Sequence, residues 1–262
     1  MFSLITLGIS SASPTTNRYP SAHILRICGR LFLIDCGEGT QLLMKRYRLS
    51  MNKVQGIFIS HLHADHILGI PGFLSSASLA GRTEPLDIYA VPPMEKMLEF
   101  FTVFFEENLP FELRFHPIEA PGILVSDPAF EVVAFPLDHR VETYGFVFYE
   151  KKRRALARKM VYCSDTAPLS CFPQEAMKAD ILLHEATFAS EKADLARTYF
   201  HSTAADAARA ARLLDAKRLV LTHFSSRYND LRPLLDEARV IFPETYLASE
   251  GAEFSVPLVR LD

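Results

Sequence analysis

Within ten residues, Ile57-Phe-Ile-Ser-His61-Leu-His63-Ala-Asp65-His66, an apolar run gives way to three imidazoles and a carboxylate. The apolar part reads as a buried strand, so the fold must present a strand end where four ligand-type side chains can gather. In extended chain His61 and His63 point to the same side and can hold one ion together. A turn after them aims Asp65 and His66 at a neighbouring ion. Imidazole nitrogen and carboxylate oxygen suit a zinc-type centre open to water, whereas a closed structural site usually recruits cysteine. A histidine-rich surface loop is the alternative, and a lone histidine would favour it. Four ligand types at this spacing favour the metal.

Two sites need more ligands than one loop supplies. His139 follows a strand predicted over Glu131–Pro136, Asp165 follows Met160–Ser164, and His223 follows Arg218–Thr222. A strand end on a rigid sheet is a common place for catalytic groups. Further strands are expected at Ser3–Leu7, Ala22–Cys28, Leu31–Asp35, Gly56–Ser60, Leu86–Ala90, Thr143–Glu150 and Ile181–His184. Helices are expected over Thr40–Leu49, after His66, over Met94–Asn108 and over Thr203–Leu214, the last capped by Ser202 or Thr203. Strand-rich halves separated by helices predict an α/β fold in which two mixed sheets pack together, flanked by helices. The phenylalanines of the third helix (Phe100, Phe101, Phe104, Phe105) read as core packing rather than a partner face.

Composition limits the function classes. The chain has 262 residues with 28 basic and 31 acidic side chains, a net charge of −3 and a pI near 6.3. These values fit a globular protein of one large domain spanning 1–262 or two small ones, and they exclude a collagen-like chain, a disulfide framework and a globally cationic nucleic-acid binder. The uncharged-side-chain stretch around Ile67–Gly81 is too short to span a bilayer and contains Pro71 and Gly72. The N-terminus lacks the basic start of a signal peptide. Four cysteines without CxxC spacing predict reduced thiols and a cytoplasmic location.

The His61–His66 loop is the HxHxDH signature of the metallo-β-lactamase superfamily, and the chain resembles its ribonuclease Z family, endonucleases that mature tRNA 3′ ends. The narrower resemblance rests on Asp35-Cys-Gly-Glu-Gly-Thr-Gln41, His139-Arg-Val-Glu-Thr-Tyr-Gly145, His184-Glu-Ala-Thr187, His201-Ser-Thr203 and Thr222-His-Phe-Ser-Ser-Arg-Tyr228. It implies an αββα sandwich with two zinc ions at one edge, manganese or iron being compatible with the same donors. One ion would take His61, His63 and His139. The other would take Asp65, His66 and His223, with Asp165 bridging. These seven residues are the ones the spacing had singled out. The resemblance also implies a homodimer acting on tRNA precursors.

Two metals lower the pKa of a water and neutralise phosphate oxygens during phosphodiester attack. The family assigns Asp65 the orientation of that nucleophile. It gives protonation of the leaving RNA oxygen to the histidine of the HST stretch, His201, helped by Glu185; a carboxylate beside an imidazole fixes its tautomer. His184 should face away from Glu185 and serve structure, while His23 and His116, with no companions in the sequence, should be structural or exposed. Ser225, Ser226 and Arg227 could hold a phosphate, or Arg227 could form a surface salt bridge. Asp35 could accept a hydrogen bond from a liganding histidine.

The chain departs from the family in one large respect. Members usually carry a long glycine-rich arm between the ligands matching His139 and Asp165, and here these lie 26 residues apart. In the arm's place, a short basic hairpin tip is expected at 150–160, with Lys151, Lys152, Arg153, Arg154, Arg158 and Lys159 making six cations in nine residues. Such a run is usually a solvated tip, but it could also meet RNA phosphates. Gly8-Ile9-Ser10 and Ser164 also replace more glycine-rich family patterns. Two further readings stay open: a phosphodiesterase on small or cyclic nucleotide diesters, favoured by the missing arm, and a non-catalytic binding module, disfavoured by the complete ligand set.

Overall fold

Short apolar runs bounded by Gly, Pro, Ser and Asp become strands, and they assemble into two seven-stranded mixed sheets. The computed structural model describes residues 1–104, 108–151 and 156–259. By chain contacts it divides into two compact units. One is formed mainly by Ser3–Glu119 with Ser249–Phe254, and the other mainly by Ala120–Ala248 with both chain ends.

The sheet of the first unit contains β1 (Phe2–Gly8), β2 (Ala22–Ile27), β3 (Arg30–Cys36), β4 (Val54–Phe58), β5 (Leu86–Ala90) and β6 (Leu113–Pro117). The hairpin partners β2 and β3 are antiparallel, while β3, β4, β5 and β6 run parallel. Buried Leu33, Ile57, Ile88, Phe73, Leu74 and Met94 belong to its core. The helices α1 (Thr40–Arg46), α2 (Ala64–Ile67), α3 (Ile70–Leu79) and α4 (Met94–Phe104) accompany this sheet. The first ends three residues before the predicted Leu49, because Arg48 adopts a left-handed backbone with φ 55° that a right-handed helix cannot continue.

The fourth helix divides its phenylalanines by face. Phe101 is buried, whereas Phe100 and Phe104, one turn apart, are exposed and stack with centroids 5.0 Å apart. The core reading therefore holds for Phe101 and fails for this pair; Phe105 lies outside the described residues.

The second sheet contains β7 (Gly122–Ser126), β8 (Phe130–Pro136), β9 (Tyr144–Glu150), β10 (Arg158–Cys163), β11 (Ile181–Glu185), β12 (Leu219–Thr222) and β13 (Thr245–Leu247). A last short strand, β14 (Glu253–Ser255), returns to the edge of the first sheet beside β1. Both β8 and β10 are antiparallel to β9, and β11, β12 and β13 run parallel to β10. The C-terminal ends of β8, β10, β11 and β12 therefore share one edge of the sheet.

The helices of this unit are α5 (Ala193–Tyr199), α6 (Ala204–Leu213) and α7 (Arg232–Ile241). The alanines of α6 favour helix and let it lie close against β11 and β12. Thr203, rather than Ser202, caps it: its hydroxyl accepts the Asp206 N–H and the Asp206 carboxylate accepts the Thr203 N–H, a reciprocal capping box.

The strand β10 begins two residues before the predicted Met160, which removes Arg158 and Lys159 from the basic connector. Arg158 is buried, and its Nε donates to Glu150 Oε2 over 2.7 Å on the opposite position of β9. The Lys159 ammonium donates to the Met177 carbonyl. Lys151 sits where β9 ends, 3.0 Å from Glu131 Oε2. Lys152, Arg153 and Arg154 lie outside the described residues. No helix of the described residues is long and apolar enough to cross a membrane.

Candidate metal centre

In the first unit, Asp35 at the end of β3 lies beside the chain leaving β4. Its fully buried carboxylate accepts the Ser60 N–H over 2.8 Å at Oδ1, and the Ser60 hydroxyl over 3.0 Å at Oδ2. Because the Ser60 proton points to the carboxylate, its oxygen accepts from His61 Nδ1, 3.0 Å away. His66 Nδ1 donates to Asp35 Oδ2 over 2.8 Å. One aspartate thus leaves the lone pair of His61 and of His66 on Nε2. His61 Nε2 lies 3.0 Å from His63 Nδ1, so two ring nitrogens converge on one point.

Asp65 and His66 sit on the single turn of α2, which provides the predicted change of direction after His63. His66 Nε2 is 3.6 Å from Asp65 Oδ2, which accepts the N–H of Ala12 over 2.7 Å. The turn can approach β3 closely because residue 37 is glycine: a Cβ there would lie 2.5 Å from the Asp65 carbonyl.

The second unit repeats this logic at its shared strand edge. His139, three residues beyond β8, donates from Nδ1 to the Phe200 carbonyl over 2.9 Å, and its Nε2 lies 3.9 Å from Asp165 Oδ2. Asp165 follows β10 and is buried. His223 follows β12 with a left-handed backbone, φ 59°, and its Nε2 lies 3.2 Å from Asp165 Oδ1. Its other nitrogen, Nδ1, is 2.9 Å from the Thr187 hydroxyl. Each of these rings has one nitrogen occupied by a protein oxygen and offers the other to a cation, an arrangement that fits a divalent metal with nitrogen and oxygen donors. Asp165, His201 and His223 each supply a ligand-type atom within 4.8 Å of the others.

Glu185 ends β11 and is fully buried. It accepts four hydrogen bonds: from the N–H of Thr166, the N–H and hydroxyl of Thr187, and His201 Nδ1, over 2.7–3.0 Å. Burial alone pushes this carboxyl up, but the charge and hydrogen bond of His201 outweigh it and hold the group below its ordinary range. Phe200 adopts a left-handed backbone, φ 58°, at the end of α5, immediately before His201. Sequence reasoning missed Thr187, Ser60, Thr166 and Phe200 as supporting groups. The first is the threonine of a quoted motif, while Phe200 acts only through its carbonyl and leaves no side-chain signal.

The remaining candidates separate by position. Ser225 is buried and Arg227 holds its guanidinium 5.8 Å from the centre of the Phe188 ring, which itself lies 6.0 Å from that of His201. Lys151 is at the opposite edge of the sheet from Asp165 and His223, since β9 ends where β10 begins. His184 donates from Nδ1 to the Glu185 carbonyl over 2.7 Å and is buried. His116 pairs with Asp87 over 2.7 Å, and His23 is buried in β2.

Two mixed seven-stranded sheets flanked by helices, with histidines and aspartates of ligand type just past strand ends, define the metallo-β-lactamase fold. A family model described as a beta-lactamase superfamily domain matches residues 30–224. The chain is similar to a ribonuclease Z of Bacteroides thetaiotaomicron, 35% identical with 95% of this chain and 94% of that one covered. It is 36% identical to the ribonuclease Z of Azobacteroides pseudotrichonymphae, over 95% and 96% of the two chains. The crystal structure of the short form of human tRNase Z superposes with a TM-score of 0.83 at 32% identity, covering 97% of this chain and 99% of that one. This chain belongs to the ribonuclease Z family of the metallo-β-lactamase superfamily. The first of these alignments runs over 296 positions, more than the 262 residues here, so that relative carries residues this chain lacks.

Proposed function

We propose that the protein is a metal-dependent endoribonuclease that cleaves tRNA precursors at the 3′ end. The observation that carries this reading is the Glu185–His201 pair on the same strand edge as the ligands His139, Asp165 and His223. A hydrolase acting on esters with good leaving groups has no need of that pair. An RNA 3′ oxygen leaves poorly and needs a proton. Membership of the ribonuclease Z family supports the substrate.

Carried over from the family pattern, His61, His63 and His139 would hold one zinc ion and Asp65, His66 and His223 a second, with Asp165 serving both. When bound, the ions activate water and neutralise charge on the phosphate. Asp65, steadied by the Ala12 N–H, orients the attacking water. His201 delivers the proton to the leaving oxygen from Nε2, its Nδ1–H being held by Glu185. Ser225 and Arg227 take a phosphate beside the centre, and the basic residues 151–154 of the sequence also meet RNA phosphates. The protein acts in the cytoplasm as a homodimer, for which the exposed Phe100 and Phe104 offer apolar surface.

A second reading, hydrolysis of small or cyclic nucleotide diesters, is favoured by the short connection between His139 and Asp165. Incubation with a tRNA precursor, with the cleavage position mapped, and with a small chromogenic diester separates the two. Cleavage at the 3′ end of the tRNA body supports the first; diester hydrolysis with an untouched precursor replaces it with the second.

A further inference from the structure

Both units contain the same three-part relay: a buried carboxylate, a hydroxyl that gives it a proton, and a histidine that donates to that hydroxyl. In the first unit it is Asp35, Ser60 and His61. In the second it is Glu185, Thr187 and His223, and in each unit the carboxylate holds a second histidine as well, His66 on Asp35 and His201 on Glu185. We propose that Thr187 is a positioning residue whose single hydroxyl sets two groups at once, the metal-facing nitrogen of His223 and the Glu185 carboxylate that aligns His201. This rests on the function proposed above and assigns a role to a residue that neither touches the substrate nor ligates metal.

The direction of each bond follows from counting protons. Ionised Glu185 only accepts, so the Thr187 proton goes to Oε2, 2.7 Å away. The hydroxyl oxygen is then an acceptor, and His223 Nδ1 at 2.9 Å must supply the N–H. His223 is thereby held with its lone pair on Nε2, the nitrogen 3.2 Å from Asp165. The Thr187 N–H also binds Glu185 Oε2 over 3.0 Å, and its carbonyl accepts the Ser225 N–H over 3.3 Å, so its backbone links the strand ends that carry Glu185 and His223. Thr187 is buried, leaving no room for bulk water to replace a lost hydroxyl. Valine fills a similar shape but offers His223 no acceptor and gives Glu185 one donor fewer.

Thr187→Val, Thr187→Ser and Thr187→Ala test this. In metal-free protein, side-chain nitrogen NMR is expected to find the Nδ1–H tautomer of His223 in the wild type and Thr187→Ser, and a mixture in Thr187→Val. Zinc binding, read by competition with a chromogenic chelator, is expected to weaken roughly 10–100-fold in Thr187→Val and to recover in Thr187→Ser. On a tRNA precursor kcat falls with KM unchanged. On bis(p-nitrophenyl) phosphate, whose leaving group departs without a proton, it falls less. An unchanged tautomer and zinc affinity in Thr187→Val overturns the proposal, as does a serine variant no better than valine. If the valine variant does not fold, Thr187→Ala against Thr187→Ser gives the same contrast. A wild type that leaves the precursor intact removes the assigned substrate but leaves the tautomer and zinc measurements decisive for Thr187.

Discussion

Glu185 Oε1 lies 2.9 Å from His201 Nδ1, the carboxylate fully buried and the ring 12% exposed. The exposed side of the pair is the imidazole, the group that can give up a proton to a substrate. The buried side is an anion whose four hydrogen bonds leave it no freedom to turn. Charge and access are thus divided between two residues.

His201→Ala is expected to keep its metal and lose roughly 10²–10⁴-fold in cleavage of a tRNA precursor, the usual contribution of a proton donor. Single-turnover rates together with elemental analysis of the variant check this. Full activity would remove His201 from the role.

Asp165→Ala behaves differently. It removes a carboxylate facing both His139 and His223, so metal content and activity should fall together, the latter by more than about 100-fold. Retention of the wild-type metal content after dialysis would contradict the ligand role.

Acid should weaken the fold through His184. Burial lowers its pKa below the ordinary value of 6.5. As pH falls through about 6.5 the unfolded chain takes up a proton that the folded chain refuses. The stability it contributes is present above that pH and declines below it, by at most about 1.4 kcal/mol per pH unit. Thermal unfolding of metal-free protein from pH 8 to 5 should show a shallower decline in His184→Asn. Parallel curves would dismiss this histidine as the sensor.

Arg158→Met should cost about 3–5 kcal/mol, because it removes the cation 2.7 Å from the Glu150 carboxylate, whose side chain is fully buried. The double variant Arg158→Met, Glu150→Leu should recover much of the loss in denaturant titrations. A single variant as stable as wild type would show that the pair contributes little.

The candidate ligands stood out in the sequence because the residue types and spacing a metal centre needs are chemical requirements that hold in any fold. Strands with continuous apolar runs, such as β4, β10 and β12, were legible for a similar reason. The short half-buried strands β6, β7, β13 and β14 were not, because alternating exposure leaves only a weak pattern over three to five residues. Helices α5 and α7 were also missed. The left-handed backbones of Asp35, Phe200 and His223 were invisible, since non-glycine residues reach that conformation only under the surrounding structure. Charge counting misled at Arg158, where a cation near the end of a basic run is a buried partner of Glu150.

Strand direction sets a length scale for recognition. Lys151 follows the end of β9 and Asp165 the end of β10, so the two are separated by the six residues of β10, about 20 Å at strand rise. A small diester seated against Asp165 and His223 ends well short of Lys151. A folded RNA is large enough to reach both edges. Substitution of Lys151 is therefore expected to leave hydrolysis of short diesters unchanged, and comparing it on a short diester and on a tRNA precursor measures whether molecular size, before any base is read, tells one phosphodiester from another.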